Sequence, residues 1–180
     1  MRRSDSASRR VFELVLFSML GALMLASDLA MEALPNVHLV GMLCVTYTIV
    51  FRARALIPIY IYVFLTGLIF GFAFWWVAYL YVWFILWGMT MLIPRRAPRV
   101  LRAVLYPTVC ALHGLLFGVL NAPLYAIVYD MGFDGMLAWI ASGLTFDIIH
   151  TIGNFAFGLL ILPLSELITK MLKRTRFYQH

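Results

Sequence analysis

Six stretches of this sequence, approximately residues 11–32, 35–51, 55–74, 75–93, 103–128 and 138–165, are apolar almost throughout and meet at short charged turns. That pattern constrains the chain more than any single motif. A run of about 20 apolar residues, wound as a helix, crosses the roughly 30 Å hydrocarbon layer of a bilayer. Of the 180 residues, 64% are hydrophobic and 12% are charged, where a typical soluble domain is roughly 25% charged. One soluble core of this size cannot hide so much apolar surface, so the outer shell must face lipid. The fold class is therefore an all-α integral membrane protein. It is read as a single six-transmembrane-helix bundle over residues 1–180, ending in a basic tail at 170–180. This excludes a cytosolic enzyme, a disordered chain and a disulfide-stapled secreted domain. No GxxxxGK[ST] loop is present, so the chain does not use ATP through a P-loop.

The charges orient the bundle. The 14 basic residues fall in four groups: Arg2, Arg3, Arg9 and Arg10; Arg52 and Arg54; Arg95, Arg96, Arg99 and Arg102; and Lys170, Lys173, Arg174 and Arg176. Each interval between groups holds two apolar runs, and the alternate turns carry Asp28, Glu32, Asp130 and Asp134. A six-helix path thus puts every basic residue on one side, which the positive-inside bias makes cytoplasmic, with both termini. The net charge of +6 is explained by topology, and no nucleic-acid partner is needed. Val37–Val50 is short for a span, roughly 21 Å as a helix. It is either a re-entrant piece or a span that starts at Pro35 in a thinned bilayer, and the placement of Arg52 and Arg54 favours the span. Four arginines precede the first run, as in a signal peptide, but the run is too long for one and is expected to stay as helix 1. Cys44 and Cys110 lie in apolar runs and read as core hydrophobes.

Small residues four apart form a flat stripe on which a second helix can approach. Helix 1 carries Ser18, Ala22, Ala26 and Ala30; helix 3 has Gly67 and Gly71; helix 5 has Gly114 and Gly118. The glycine pairs read as internal packing, and the longer stripe on helix 1 as a face for an external helix.

Polar groups at membrane depth are costly, so they are the strongest functional candidates. On helix 6, Asp147, His150 and Asn154 share one face by helical spacing. Helix 5 adds His113 near mid-depth and Asn121 towards the outer end, where Pro123 is expected to kink or loosen the helix. Helix 4 reads FWWVAYLYVWFILW, which lines Tyr79, Trp83 and Trp87 along one side. Trp75 and Trp76 suit the interface belt, and Trp83 lies too deep for it. An interhelical hydrogen-bond clamp is the plainer reading of the polar set, and core packing that of the rings. A metal site from His113, His150 and Asp147 is chemically conceivable, but none is expected.

Together these features resemble a known family. The ALMLA element in helix 1, the GLxFDxxHxxxNxxxGxxxxPL pattern in helix 6 and six short-looped helices are similar to the substrate-binding S components of energy-coupling-factor (ECF) vitamin transporters. The resemblance implies that Ser18, Ala22 and Ala26 dock on a transmembrane coupling protein. It implies that two separate ATPase subunits hydrolyse ATP, with no cofactor in this chain, in a bacterial plasma membrane. It also implies an extracytoplasmic site built from the helix 1–2 loop and the outer halves of helices 4 to 6. Asn36, His38, Tyr79, Trp83, His113, Asn121, Asp147, His150 and Asn154 are the residues expected there. That set suits a planar, nitrogen-rich ring, with Asp147 accepting from ring N–H groups, the histidines meeting a mixed edge, and Trp83 and Tyr79 stacking. Asn154 and Asn121 would fix orientation, while Asn36 and His38 close the mouth. Metal-importing members carry a histidine at position 2, where this chain has Arg2, so a metal substrate is not implied. No motif fixes which vitamin is bound. Two other classes stand beside this one: a structural membrane scaffold resembling the rod-shape protein MreD, and an intramembrane enzyme. The last is suggested by the spacing of Phe146, His150 and Asn154, which resembles two motifs of prenyl-protein proteases, but the paired glutamates of that family are missing.

Overall fold

The structure, a computed structural model, describes residues 2–34 and 36–175, with side chains from Ser8 onward. Pro35, Arg176 with the rest of the tail, and the side chains of Arg2 and Arg3 lie outside the described residues. The elements are α1 (Arg2–Ala30), α2 (Val40–Phe51), a 3-10 turn (Arg52–Ala55), α3 (Leu56–Phe70), α4 (Phe74–Met91), α5 (Arg99–Val128), α6 (Phe133–Gly158) and α7 (Ile161–Arg174). Five segments are long and apolar enough to cross a membrane: Ser8–Ala30, Val40–Phe70, Phe74–Met91, Arg99–Val128 and Phe133–Gly158. Val40–Phe70 contains both α2 and α3, and Arg52 breaks it with a positive φ of 57°. A non-glycine residue in that region is strained. α4 holds the corner, because Trp87 Nε1 donates to the Arg52 carbonyl and Arg52 Nη2 donates to the Met91 carbonyl.

Side-chain pairings give each helix its direction. α1 and α3 run parallel, tied by the Arg54–Glu13 ion pair at 2.9 Å and by Tyr62 Oη donating to Asp28 at 2.8 Å. α2 runs back along α1, with the rings of Phe17 and Phe51 5.2 Å apart and Tyr47 Oη donating to the Leu20 carbonyl. α4 returns along α3 through Trp76 to Val63 and Tyr60 to Leu80. α5 reverses against α4 through Tyr81 to Leu120, and α6 reverses against α5 through Asp147 to Gly118 and Asn154 to Cys110. Arg52, Arg54, Arg99 and Arg102 consequently share one end of the bundle, and Asp28, Glu32, Asp130 and Asp134 share the other.

The chain is inside-out relative to a soluble bundle. α2 is apolar all round and lies at the centre, with Val40–Thr48 and Phe51 buried, as expected for a helix without a polar face. Its twelve residues span about 18 Å, less than the roughly 30 Å hydrocarbon layer of a bilayer. α6 shows the opposite pattern. Its buried residues are Asp147, His150, Asn154 and Gly158, a single stripe, while Phe146, Ile148, Ile149, Ile152 and Phe155 are exposed. The apolar side chains of α6 face outward, and α5 receives the polar ones.

Several sequence expectations need correction. Helix 6 does not run over 138–165; it starts at Phe133 and ends at Gly158, and α7 begins at Ile161. Pro163 then sits in the first turn of α7, where its missing N–H costs nothing. α5 continues through Pro107 and Pro123 to Val128. Gly71 does not share in helix packing, since it caps α3 with φ 90°, whereas Gly67 does mark a close approach: a Cβ there would strike Phe72 in the following turn and Trp76 of α4. Gly114 and Gly118 do mark a close approach, since added Cβ atoms would meet Asn154 and Asp147 of α6.

Candidate functional site

At the acidic end, the connection between α1 and α2 folds inward instead of capping the bundle. Turn hydrogen bonds from Leu34 to Met31 and from Val37 to Leu34 coil it tightly, and Asn36 takes a left-handed conformation at φ 56°. Asparagine adopts that region more readily than most residues. The turn delivers His38 against α6, with its ring 4.8 Å from that of His150 at 68° and 6.1 Å from that of Trp83. Trp83 in turn lies 5.7 Å from His113, and Phe117 lies 5.0 Å from His150.

These side chains carry an unusual deficit of hydrogen bonds. Among the described residues, His38 Nδ1, Trp83 Nε1, His113 Nδ1, both ring nitrogens of His150 and Asn154 Oδ1 are buried with no partner. Each buried polar group left unpaired costs roughly 1–3 kcal/mol, and native structures hold few of them. Six such atoms gather around His38, His150 and Trp83.

A cavity of about 180 Å³ reaches this cluster at His38 and His150, and Asp28, Glu32, Asn36, Tyr79 and Phe117 complete its walls. A second cavity of about 370 Å³ shares Asn36, Tyr79 and Phe117 with it and extends to Trp75, Asn121, Trp139 and Asp147. The second falls in the size range of ordinary small-molecule sites. Trp83, His113 and Asn154 stand behind the first cavity and line neither.

The nine expected binding residues therefore divide. His38, His150, Tyr79 and Asn36 meet at the first cavity, and Asn121 and Asp147 border the second. Two of the polar residues are committed to helix packing: Asp147 Oδ1 accepts the Gly118 N–H at 3.1 Å, and Asn154 Nδ2 donates to the Cys110 carbonyl at 3.2 Å. Asn121 Nδ2 donates within its own helix to the Phe117 carbonyl. His113 Nε2 lies 3.1 Å from the Val82 carbonyl, leaving Nδ1 free. Among the described residues, no three His, Cys, Asp or Glu side chains converge as ligands for a metal ion.

The docking stripe has a simpler fate. Ser18, Ala22 and Ala26 are all exposed on α1, while Phe17, Gly21 and Met24 face the interior.

Sequence reasoning missed the carboxylates of Asp28 and Glu32 as cavity walls, along with Phe117. No local pattern marks them, because Glu32 lies past the end of α1 and Asp28 is placed by its contact with Tyr62 of α3. Both had been assigned to topology alone. Their proximity gives the first cavity acidic walls beside two imidazoles. Burial pushes the His38 imidazole below its ordinary value, and the Asp28 carboxylate opposes that effect.

Comparison with family models, with curated proteins and with solved structures gives no match for this chain.

Proposed function

We propose that this chain is a substrate-capturing subunit of a membrane importer, a multi-pass protein of the bacterial plasma membrane that binds a small molecule at its acidic end. The single observation behind this reading is the set of three buried, unpartnered ring nitrogens of His38 and His150, which line a cavity whose walls include two carboxylates and two aromatic rings. An internal clamp satisfies its polar atoms, as the Asp147–Gly118 bond illustrates, whereas Asn154 bonds Cys110 through Nδ2 and still leaves Oδ1 without a partner. The ligand class follows from the lining. His38 and His150 each offer one donor and one acceptor when neutral, Asp28 and Glu32 accept, and Tyr79 presents a ring face. A planar nitrogen heterocycle bearing an amino or cationic group matches that set. Its ring would sit at the imidazoles and its positive edge would face the carboxylates.

In this reading α2 and α3 are separate crossings, giving six, and the basic end with both termini is cytoplasmic. Ser18, Ala22 and Ala26 then dock on a coupling protein that works with two ATPase subunits, as in the energy-coupling-factor importers that the sequence resembles. The test is to denature the purified full chain and analyse the extract by mass spectrometry. A stoichiometric heterocyclic compound supports the proposal. Protein that is empty in every preparation overturns it in favour of a membrane scaffold.

A further inference from the structure

The basic end of the bundle holds a different cavity, of about 500 Å³. Ile49 at the end of α2, Arg102 in the first turn of α5, and Thr169, Lys170, Lys173 and Arg174 of α7 form its walls. The bordering acid, Glu166, is already engaged, since Arg99 holds it with two hydrogen bonds of 3.0 and 3.1 Å. Among the described residues, no carboxylate lies within salt-bridge distance of the other four cations. Arg102 Nε is buried and has no hydrogen-bond partner. Four cations from two helices thus converge on a concavity rather than spreading over a flat face, and one guanidinium N–H points to no acceptor.

That combination selects an anion of particular chemistry. A guanidinium fork beside two ammonium groups matches the several oxygens of a phosphate better than the single edge of a carboxylate. The opposite side of α7 says where the phosphate comes from. Leu167 and Met171, a turn apart, are 53% and 60% exposed, and an amphipathic helix with basic flanks lies in the membrane interface. The cavity then sits at headgroup depth.

We infer that this cavity binds a phosphate group, supplied by an anionic lipid headgroup. Binding clamps α7 to α2 and α5 and so ties the C-terminal helix to the centre of the bundle.

The full chain, purified in neutral detergent, is titrated separately with dioleoylphosphatidylglycerol, dioleoylphosphatidylcholine and inorganic phosphate. Native mass spectrometry counts the adducts, and thermal unfolding reads the stabilisation. The expected result is a one-to-one phosphatidylglycerol adduct retained at least about tenfold better than phosphatidylcholine. It should be lost in a triple variant, Arg102→Gln with Lys170→Gln and Lys173→Gln. A control with Arg95→Gln and Arg96→Gln removes charge near the same end but outside the cavity, and should keep the adduct. Stabilisation by inorganic phosphate equal to that by phosphatidylglycerol, and lost in the triple variant, would support the phosphate site but assign it to a soluble source. Equal retention of the two lipids, or equal loss in the control, would overturn the inference. If the triple variant fails to fold, Arg102→Lys alone should still lower retention, and unchanged retention there overturns the inference too.

Discussion

The imidazole of His38, carried by the turn between α1 and α2, meets the imidazole of His150 on α6 edge-on at 4.8 Å. Neither ring nitrogen of His150 has a partner in the described protein. A loop residue and a mid-helix residue are thus brought together without bonding to each other, which is what two halves of a binding site look like. His150→Ala should therefore abolish ligand retention while lowering the melting temperature of the ligand-free chain only slightly. A large loss of stability with unchanged retention would make His150 a packing residue.

Asp147 should behave in the opposite way. Its carboxylate accepts the Gly118 N–H across the α5–α6 contact, so Asp147→Ala removes a buried interhelical hydrogen bond and should cost about 1 kcal/mol. Gly118→Ala should be destabilising by a similar route, about 1–3 kcal/mol, because the new Cβ occupies the space of the Asp147 carboxylate. Thermal unfolding of the two single variants and the double variant checks this, and the effects should be strongly non-additive.

The stripe on α1 tests partner docking separately from binding. Ala22 and Ala26 are exposed, so Ala22→Trp with Ala26→Trp should leave the isolated chain as stable and as able to bind as before. Uptake by cells carrying the coupling partners should disappear. Loss of stability in the isolated variant would show that the stripe packs internally.

The face of α6 was legible in the sequence because helical period alone decides it: spacings of three and four put Asp147, His150 and Asn154 on one stripe whatever surrounds them. Which of the three bond to α5 was not legible. That depends on the register that sets Gly118 beside Asp147 and Cys110 beside Asn154. Asp28 escaped for the same reason. Its place at the cavity follows from the parallel pairing of α1 with α3 through Tyr62, a long-range contact that no local pattern encodes. The start of α7 was legible and was missed, since Pro163 marks a first helical turn more readily than a helix interior.

Acid should weaken the site through His38. The groups around it are Asp28 of α1, Glu32 of the turn after it, His150 of α6 and His113 of α5, and burial holds its folded value below the ordinary 6.5. A depressed folded value means stability that is complete above about pH 6.5 and lost as the pH falls through the lower folded value. Thermal unfolding between pH 7.5 and 5 should show that decline (the window spans roughly the ordinary histidine range), and His38→Gln should make it shallower. An identical pH profile in the variant would assign the decline elsewhere.

The central claim is that the unpartnered ring nitrogens of His38 and His150 are completed by a small organic molecule, and not by water. Native mass spectrometry of the wild-type chain and of His150→Ala, released side by side from the same detergent, tests it most directly. The account predicts a single adduct of a few hundred daltons, in keeping with cavities of about 180 and 370 Å³, on the wild type and absent from the variant. Both proteins flying at the bare polypeptide mass, with the same melting temperature, would contradict it and leave the cluster as a hydrated packing defect.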